Sequence, residues 1–354
     1  MKNNPNVDAI HRVLGETIVP YNAVQDFFER NDTSALVRMM KPLADCTEQH
    51  SPQKLFKLRT VSEKSLEALT DEKLYLTRAD FFNDPYDCFL SFNHNKLKET
   101  ISRHLSDESM NSFIKSSGLT FAAESGLINQ TFYYHMFHLK RDAFFDICDV
   151  ILSHTTTVLQ SNTYIASLTE NIQSPVLWAH YANNHEGFAI EYQFRKTMYC
   201  PHPVVMVDTG IQSTGWRSIL PVYYSLTRAD GTELAEWLAL CKWHEFLFEE
   251  AHDKYDLSIF LPDLLLKTKL CLQKSVEWAY EQEWRMLVSY NWPNTIGAES
   301  ATLFYPPSAI YLGDRISDEN SSRLKQIANQ KGIPVYRMAV DHSNYKYQLE
   351  IREE

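Results

Sequence analysis

The stretch Trp278–Tyr290 reads WAYEQEWRMLVSY and sets two carboxylates, Glu281 and Glu283, two residues apart beside Arg285. In an extended strand, residues i, i+2 and i+4 line one face, so this spacing predicts all three side chains on a common surface. A carboxylate held at a strand entrance can stabilise positive charge that develops as a bond breaks. A second acid close by raises the pKa of one of the two. The same residues also suit a Glu–Arg ladder in which Arg285 neutralises one acid.

Two further places put polar groups on one strand face. In Lys57-Leu58-Arg59 the two cations share a face, and an arginine at the end of a strand can grip a pyrophosphate bidentately; two solvated cations on a surface strand are the plainer reading. In Ser167-Leu168-Thr169 the two hydroxyls share a face, and WAHYANNHEGFAIEY follows. His180 and His185 are five residues apart, so they do not stack as ligands on one helix face. No metal site is expected. Packing against Trp178 is the plainer role for the histidines, and Tyr181 can wall an aromatic slot for a flat ring.

The elements that would hold these groups are short. Strands are predicted at LFKLR (55–59), KLYLT (73–77), TYIASLT (163–169), FAIEYQF, ILPVYY (219–224), the WAYEQEWRMLVSY stretch, AIYLG (309–313) and IPVYRMAV (333–340), with alternation in the tail NYKYQLEI. Ser62, Ser174-Pro175 and Ser317 read as helix starts, the second helix ending near Asn184. Helical blocks fill about 95–160, where Phe132, Met136, Leu139 and Ala143 recur beside Phe137, Phe144, Cys148 and Ile151, and about 232–275, broken near Pro262. Residues 7–42 carry two amphipathic helices, the second opening at Val24, Phe27 and Phe28. The pattern predicts an α+β fold: a mostly antiparallel or mixed central sheet with large helical insertions. Residues 1–50 are read as a helical N-terminal extension and 51–354 as the main domain.

The chain has 354 residues, 44% hydrophobic, with a net charge of −11, which argues against sequence-independent phosphate-backbone binding. Six scattered cysteines without a CxxC pair suit buried thiols of a cytoplasmic protein. No run approaches a membrane span, and the polar N-terminus has no apolar leader core. GxGxxG, GxxxxGK[ST], HExxH and GxSxG are all missing from the sequence.

Four phrases, LFKLR with LYLTRADFFNDPYD, ASLTE, LWAHYANNHEGFAIEY, and WAYEQEWRMLV with AIYLGDRIS, resemble the bacterial family of domain of unknown function 2971, over residues 54–315. Leu58 departs from the aromatic that the resemblance implies at its position, and Glu191 stands where smaller residues are also usual. A second resemblance is to ADP-ribosyltransferases of the Arg–Ser–Glu type, through Arg59, Ser167-Leu168-Thr169 and Glu281-Gln282-Glu283 in that order. That likeness implies NAD as substrate, with Arg59 on its pyrophosphate, Ser167 and Thr169 bracing the nicotinamide side, and Tyr181 with neighbouring His180 at the ring. It implies Glu283 as the carboxylate that binds the ribose 2′-hydroxyl and stabilises the oxocarbenium-like transition state, and Glu281 as the group that orients or deprotonates a protein or small-molecule acceptor. It also suits a toxin or defence effector. A non-catalytic sensor or interaction module is the alternative, and a metal-dependent hydrolase built from Asp84, Asp87, His180, His185 and Glu283 is a third.

Overall fold

A computed structural model describes residues 3–20, 23, 32–104, 153–208, 211–247, 261–290, 300–342 and 346–354, with isolated positions between 106 and 150. In chain order its elements are α1 (Pro5–Glu16), α2 (Ser34–His50), β1 (Leu55–Arg59), α3 (Glu63–Thr70), β2 (Lys73–Arg78), α4 (His94–His104), β3 (Thr163–Thr169), α5 (Pro175–Tyr181) and β4 (Phe188–Tyr192). There follow β5 (His202–Asp208), β6 (Ile211–Pro221), β7 (Tyr223–Ser225), α6 (Thr232–Leu247), α7 (Leu266–Leu270), β8 (Gln273–Ser275) and β9 (Glu283–Tyr290). The chain closes with β10 (Ser300–Phe304), β11 (Ala309–Leu312), α8 (Asp318–Lys331), β12 (Val335–Val340) and β13 (Leu349–Glu353). The fold is α+β, as expected.

One large sheet runs in the order β13-β12-β11-β4-β1-β3-β9-β6-β5, with the pair β2–β10 branching from β3. All its pairings are antiparallel except β11 with β12, which the α8 crossover joins in parallel. The decisive detail lies at β3. Its full length pairs with β9, from Thr163 opposite Ser289 to Thr169 opposite Glu283. Its other edge is divided between two partners. β1 meets it at a single pair, Phe56 opposite Thr169, and β2 meets it at Thr77–Ile165 and Arg78–Tyr164. Between those contacts β1 and β2 part, and the sheet forks.

The local causes of these elements are visible in the residues. Ser62 accepts from the Ser65 amide in a reciprocal capping box, Ser174 accepts from the Leu177 amide ahead of Pro175, and Ser317 accepts from the Asn320 amide. α5 stops at Tyr181, earlier than the expected Asn184, because Asn183, Asn184 and His185 all take left-handed backbone (φ 47, 52 and 72°). Asparagine tolerates that region better than most residues. The hooked turn folds back so tightly that a Cβ on Gly187 would lie 2.2 Å from the Arg59 carbonyl oxygen and 2.9 Å from Ala182.

Several expectations change. The run ILPVYY divides at Val222 into β6 and β7, which belong to different sheets; the Val222 amide donates to the Glu283 carbonyl at 2.8 Å. Among the described residues, the block about 232–275 holds α6, the short α7 and then a strand, β8. α2 runs on to His50. The expected helical positions Val24, Phe27, Phe28, Phe132, Met136, Phe137, Ala143, Phe144, Cys148 and Ile151 lie outside the described residues. The N-terminal helices share the main core: Ile10, Leu14, Leu36, Met40 and Leu43 pack in one apolar cluster with Leu55 and Tyr192 of the sheet. His11 Nε2 also meets the Pro221 carbonyl at 2.7 Å, and the Val19 amide donates to Asp263. A smaller cluster on the opposite sheet face joins Phe56, Leu58, Leu177, Trp178 and Tyr311. Among the described residues no helix is long and apolar enough to cross a membrane.

Gly187→Ala is expected to destabilise the fold by about 1–3 kcal/mol, since the added methyl meets backbone that cannot swing aside. Denaturant unfolding against the wild type measures this; an unchanged midpoint would show that the turn adjusts freely.

Candidate functional site

The fork encloses a cavity of about 160 Å³, lined by Lys57, Ser167, Thr169, Tyr181, Lys274 and Glu281, with Phe56, Leu58, Phe82, Leu168 and Leu177 as apolar walls and Asp87 and Glu283 behind. Register explains the grouping. Paired residues of antiparallel strands share a face, so Phe56, Thr169 and Glu283 point the same way, and Ser167 and Arg285 one step along do too. These are the hydroxyls and the acid that the sequence placed together.

Arg285 is the buried centre of the site, with none of its surface exposed. Its Nε donates to Glu283 Oε1 at 2.9 Å and its NH2 to Glu283 Oε2 at 3.2 Å. NH1 and NH2 donate to the two Asp87 oxygens at 2.8 and 2.6 Å, and NH1 also donates to the Cys271 carbonyl at 2.6 Å. Those bonds occupy all five N–H donors of the guanidinium. Lys274 sits on the pocket side. Its Nζ lies 2.7 Å from Glu281 Oε2 and 3.2 Å from Glu283 Oε2, over the Trp278 ring at 4.8 Å. Burial works against the charge on Lys274, but Glu283, Asp87 and Glu281 together outweigh it and its pKa is raised.

The two acids are therefore unlike. Burial alone would raise Glu283, yet Arg285 and Lys274, with a hydrogen bond from Ser167, hold it far below the ordinary carboxylate range. Glu283 is a committed anion. Glu281 moves the other way: burial and the neighbouring Glu283 raise its pKa, against Lys274 and Tyr181. The Tyr181 hydroxyl donates to Glu281 Oε1 at 2.5 Å, and burial with that carboxylate raises the phenol's own pKa. A carboxyl poised upward, bridged by a phenol and an ammonium and lining a cavity, has the properties of an acid–base group.

Glu281 does not lie on the strand, which corrects the expectation of three side chains on one strand face. It ends a 3₁₀ helix, Val276–Glu281, and Gln282 then turns left-handed (φ 44°, ψ 53°) before β9 begins at Glu283. The pair of acids arises from a turn, and Thr169 Oγ1 fixes it by donating to the Glu281 carbonyl at 2.5 Å. Thr169 thus braces the backbone of the turn while lining the cavity.

Arg59 is also corrected. It is three residues along β1 from Phe56, so it projects from the face opposite Thr169 and Glu283 and lies towards Tyr75 and Tyr192. The cation at the pocket is Lys57. It starts on the same face as Arg59, but where β1 leaves β3 its side chain passes into the gap, and Nζ donates to the Ser167 carbonyl at 2.7 Å. Burial, reinforced by Arg59, lowers the Lys57 pKa to about 7 despite Glu283 and Glu281 nearby. His180 is an exposed rim residue, edge-on to Tyr181 and Tyr280, with Nδ1 3.0 Å from the Tyr280 hydroxyl.

The proposed metal set does not gather. Asp87 serves Arg285, Asp84 Oδ1 accepts from the Tyr86 amide, and His185 sits in the left-handed turn with its carbonyl accepting from Arg315. Among the described residues no group of three or more His, Cys, Asp or Glu side chains could hold a metal ion. Sequence reasoning missed Lys274 altogether and gave Asp87 the wrong partner. A lone lysine between apolar residues and the 3₁₀ turn, in LCLQKSVEW, is the only local signal for the first.

Residues 177–286 match the model of a family described as Protein of unknown function (DUF2971). The matched span is narrower than the sequence resemblance; it contains Tyr181, Lys274, Glu281, Glu283 and Arg285, and stops short of Lys57, Asp87 and Ser167. No curated protein and no solved structure matches the chain.

Arg285→Met is expected to cost about 3–5 kcal/mol, because Asp87 and Glu283 would remain buried without their cation. Thermal unfolding tests this, and a near-neutral result would mean that the network is not closed as described. Glu283 has a lowered folded-state pKa, so its contribution is present above the ordinary glutamate range and is lost as pH falls below it. Glu283→Gln should flatten the acid limb of the stability–pH curve; an unchanged limb would contradict the ion pairing.

Proposed function

We propose that the chain is an enzyme doing acid–base chemistry on a compact ligand, with Glu281 as the reacting carboxyl. The observation that carries this reading is the division of labour between the acids. Glu283 is consumed by Arg285 and Lys274, whereas Glu281 lines the cavity under Tyr181 with its pKa raised. Lys57 adds an amine that is neutral above pH about 7, on the far wall of the same cavity. An acid and a base at one small site can deliver a proton to a leaving group and remove one from an attacking group.

Cavity size supports a ligand portion no larger than one ring: roughly 150 Å³ admits a benzene, whereas drug-sized ligands occupy several hundred. A second reading makes that ring the nicotinamide end of NAD. Its support is that Ser167, Thr169, Tyr181, Glu281 and Glu283, all implied by the Arg–Ser–Glu resemblance, border one cavity. Lys57 would then stand where the resemblance puts Arg59. In this chemistry the bond from ribose C1′ to nicotinamide breaks with its electron pair leaving on the ring nitrogen. The acceptor oxygen or nitrogen bonds to C1′, and Glu281 takes the acceptor's proton.

Nicotinamide release from NAD, with and without cell lysate as acceptor source, tests both readings. Glu281→Gln should lower turnover at least about 100-fold with the fold intact, and Tyr181→Phe should lower it less. Turnover of NAD that survives Glu281→Gln would remove Glu281 from the chemistry. No release by the wild type would remove NAD and leave the acid–base reading to other small ring substrates; ligand binding without turnover of any would favour a non-catalytic sensor.

A further inference from the structure

A second concavity of about 850 Å³ shares no lining residue with the Glu281 cavity. It lies between the exit of β4, the start of β5, β6 and the segment after β10, and its walls include Arg195, His202, Arg217, Phe304 and Tyr305. None of its lining residues is acidic, in a chain whose net charge is −11. Neither Arg195 nor Arg217 forms an ion pair with a carboxylate among the described residues, whereas Arg78, Arg285, Arg323, Arg337 and Arg352 do. Two arginines without a counter-ion among the described residues, in one groove of an acidic protein, are a directed charge.

The groove is also built. His202 Nδ1 faces the Cys200 carbonyl at 3.3 Å, and Nε2 accepts from Arg217 Nε at 2.9 Å, so the imidazole steers the guanidinium through Nε, and NH1 and NH2 carry no side-chain bond among the described residues. Burial and the neighbouring Arg217 keep that histidine's pKa low, which suits the accepting role. On the opposite wall the Tyr305 hydroxyl accepts from the Arg195 amide and donates to the Gln193 carbonyl, both at 3.1 Å. The Tyr305 ring packs on Phe194 at 4.6 Å. This pins Arg195 to the rigid Tyr305-Pro306-Pro307 segment. Beside it Phe304 leaves 68% of its surface exposed, an aromatic face open to a planar partner.

We infer that this groove is a second binding site that takes a free nucleotide, with its phosphates between Arg195 and Arg217 and its base against Phe304. Arginine forks match phosphate oxygens bidentately, the exposed ring supplies stacking, and the volume falls in the range of sites for such ligands. The site is independent of the Glu281 chemistry.

Isothermal titration of the full chain with ATP, pyrophosphate and adenosine tests it. ATP and pyrophosphate are expected to bind, with affinity falling as salt rises, and adenosine to bind more weakly than ATP. Arg195→Ala and Arg217→Ala should each weaken ATP about tenfold or more. Phe304→Ala should weaken ATP but not pyrophosphate. Arg195 is exposed, so its variant keeps the fold, and circular dichroism melts check this for all three. ATP that fails to bind at millimolar concentration, or binds Arg195→Ala as well as wild type, overturns the inference. Glu281→Gln should leave ATP affinity unchanged; its loss would place the nucleotide in the other cavity and also overturn the inference.

Discussion

Five N–H bonds from one guanidinium organise the centre of this molecule. Arg285 has no exposed surface, and its donors are divided among Glu283, Asp87 and the Cys271 carbonyl. Desolvating a guanidinium and two carboxylates costs several kcal/mol per ion, repaid only when geometry is good and every donor is used. Completion of that set lets β9, the turn carrying Asp87 and the segment before β8 converge without an orphaned charge. Lys274 then bridges to Glu281, so three acids meet two cations there. Burial, and then the neighbouring Glu283, raise the pKa of Glu281, the acid at the cavity wall.

The cavity itself comes from unfinished pairing. β3 cannot give its outer edge to both β1 and β2 along their full lengths, and the gap exposes the Ser167 carbonyl. A backbone carbonyl without a partner in such a place costs about 1–3 kcal/mol, and the Lys57 amine meets it. The lysine thereby becomes a wall of the cavity and loses much of its affinity for a proton. Structural repair and chemical potential belong to the same atom.

Much of this was legible in the sequence, and the limits have physical causes. LFKLR and TYIASLT give strands with the bounds read from them, because apolar residues flanked by helix caps and turns leave little choice. The shared face of Ser167 and Thr169 follows from period two, and the register of β3 with β9 adds Glu283 to it. Arg59 was misassigned because facing depends on register with a strand more than a hundred residues away. Only the Phe56–Thr169 pair reveals that Arg59 has the wrong parity. Glu281 was misread because Gln282 adopts a left-handed backbone that glutamine seldom takes, so nothing in its type announces a break between the acids. Lys274 and Asp87 reach the site only through tertiary packing: Asp87 stands 198 residues from Arg285 in the chain, and its nearness is a property of the folded chain alone.

Gln282 separates two acids into parts of the molecule that obey different rules. Glu283 belongs to the sheet and to a closed ion network that tolerates almost no change. Glu281 ends a short helix held to the sheet by the Thr169 latch and by Lys274. Drift in residues 276–281 can re-aim the acid at the cavity wall without disturbing the one in the sheet. A lineage built on this plan can therefore diversify its chemistry on one side of a single residue while its stability is conserved on the other.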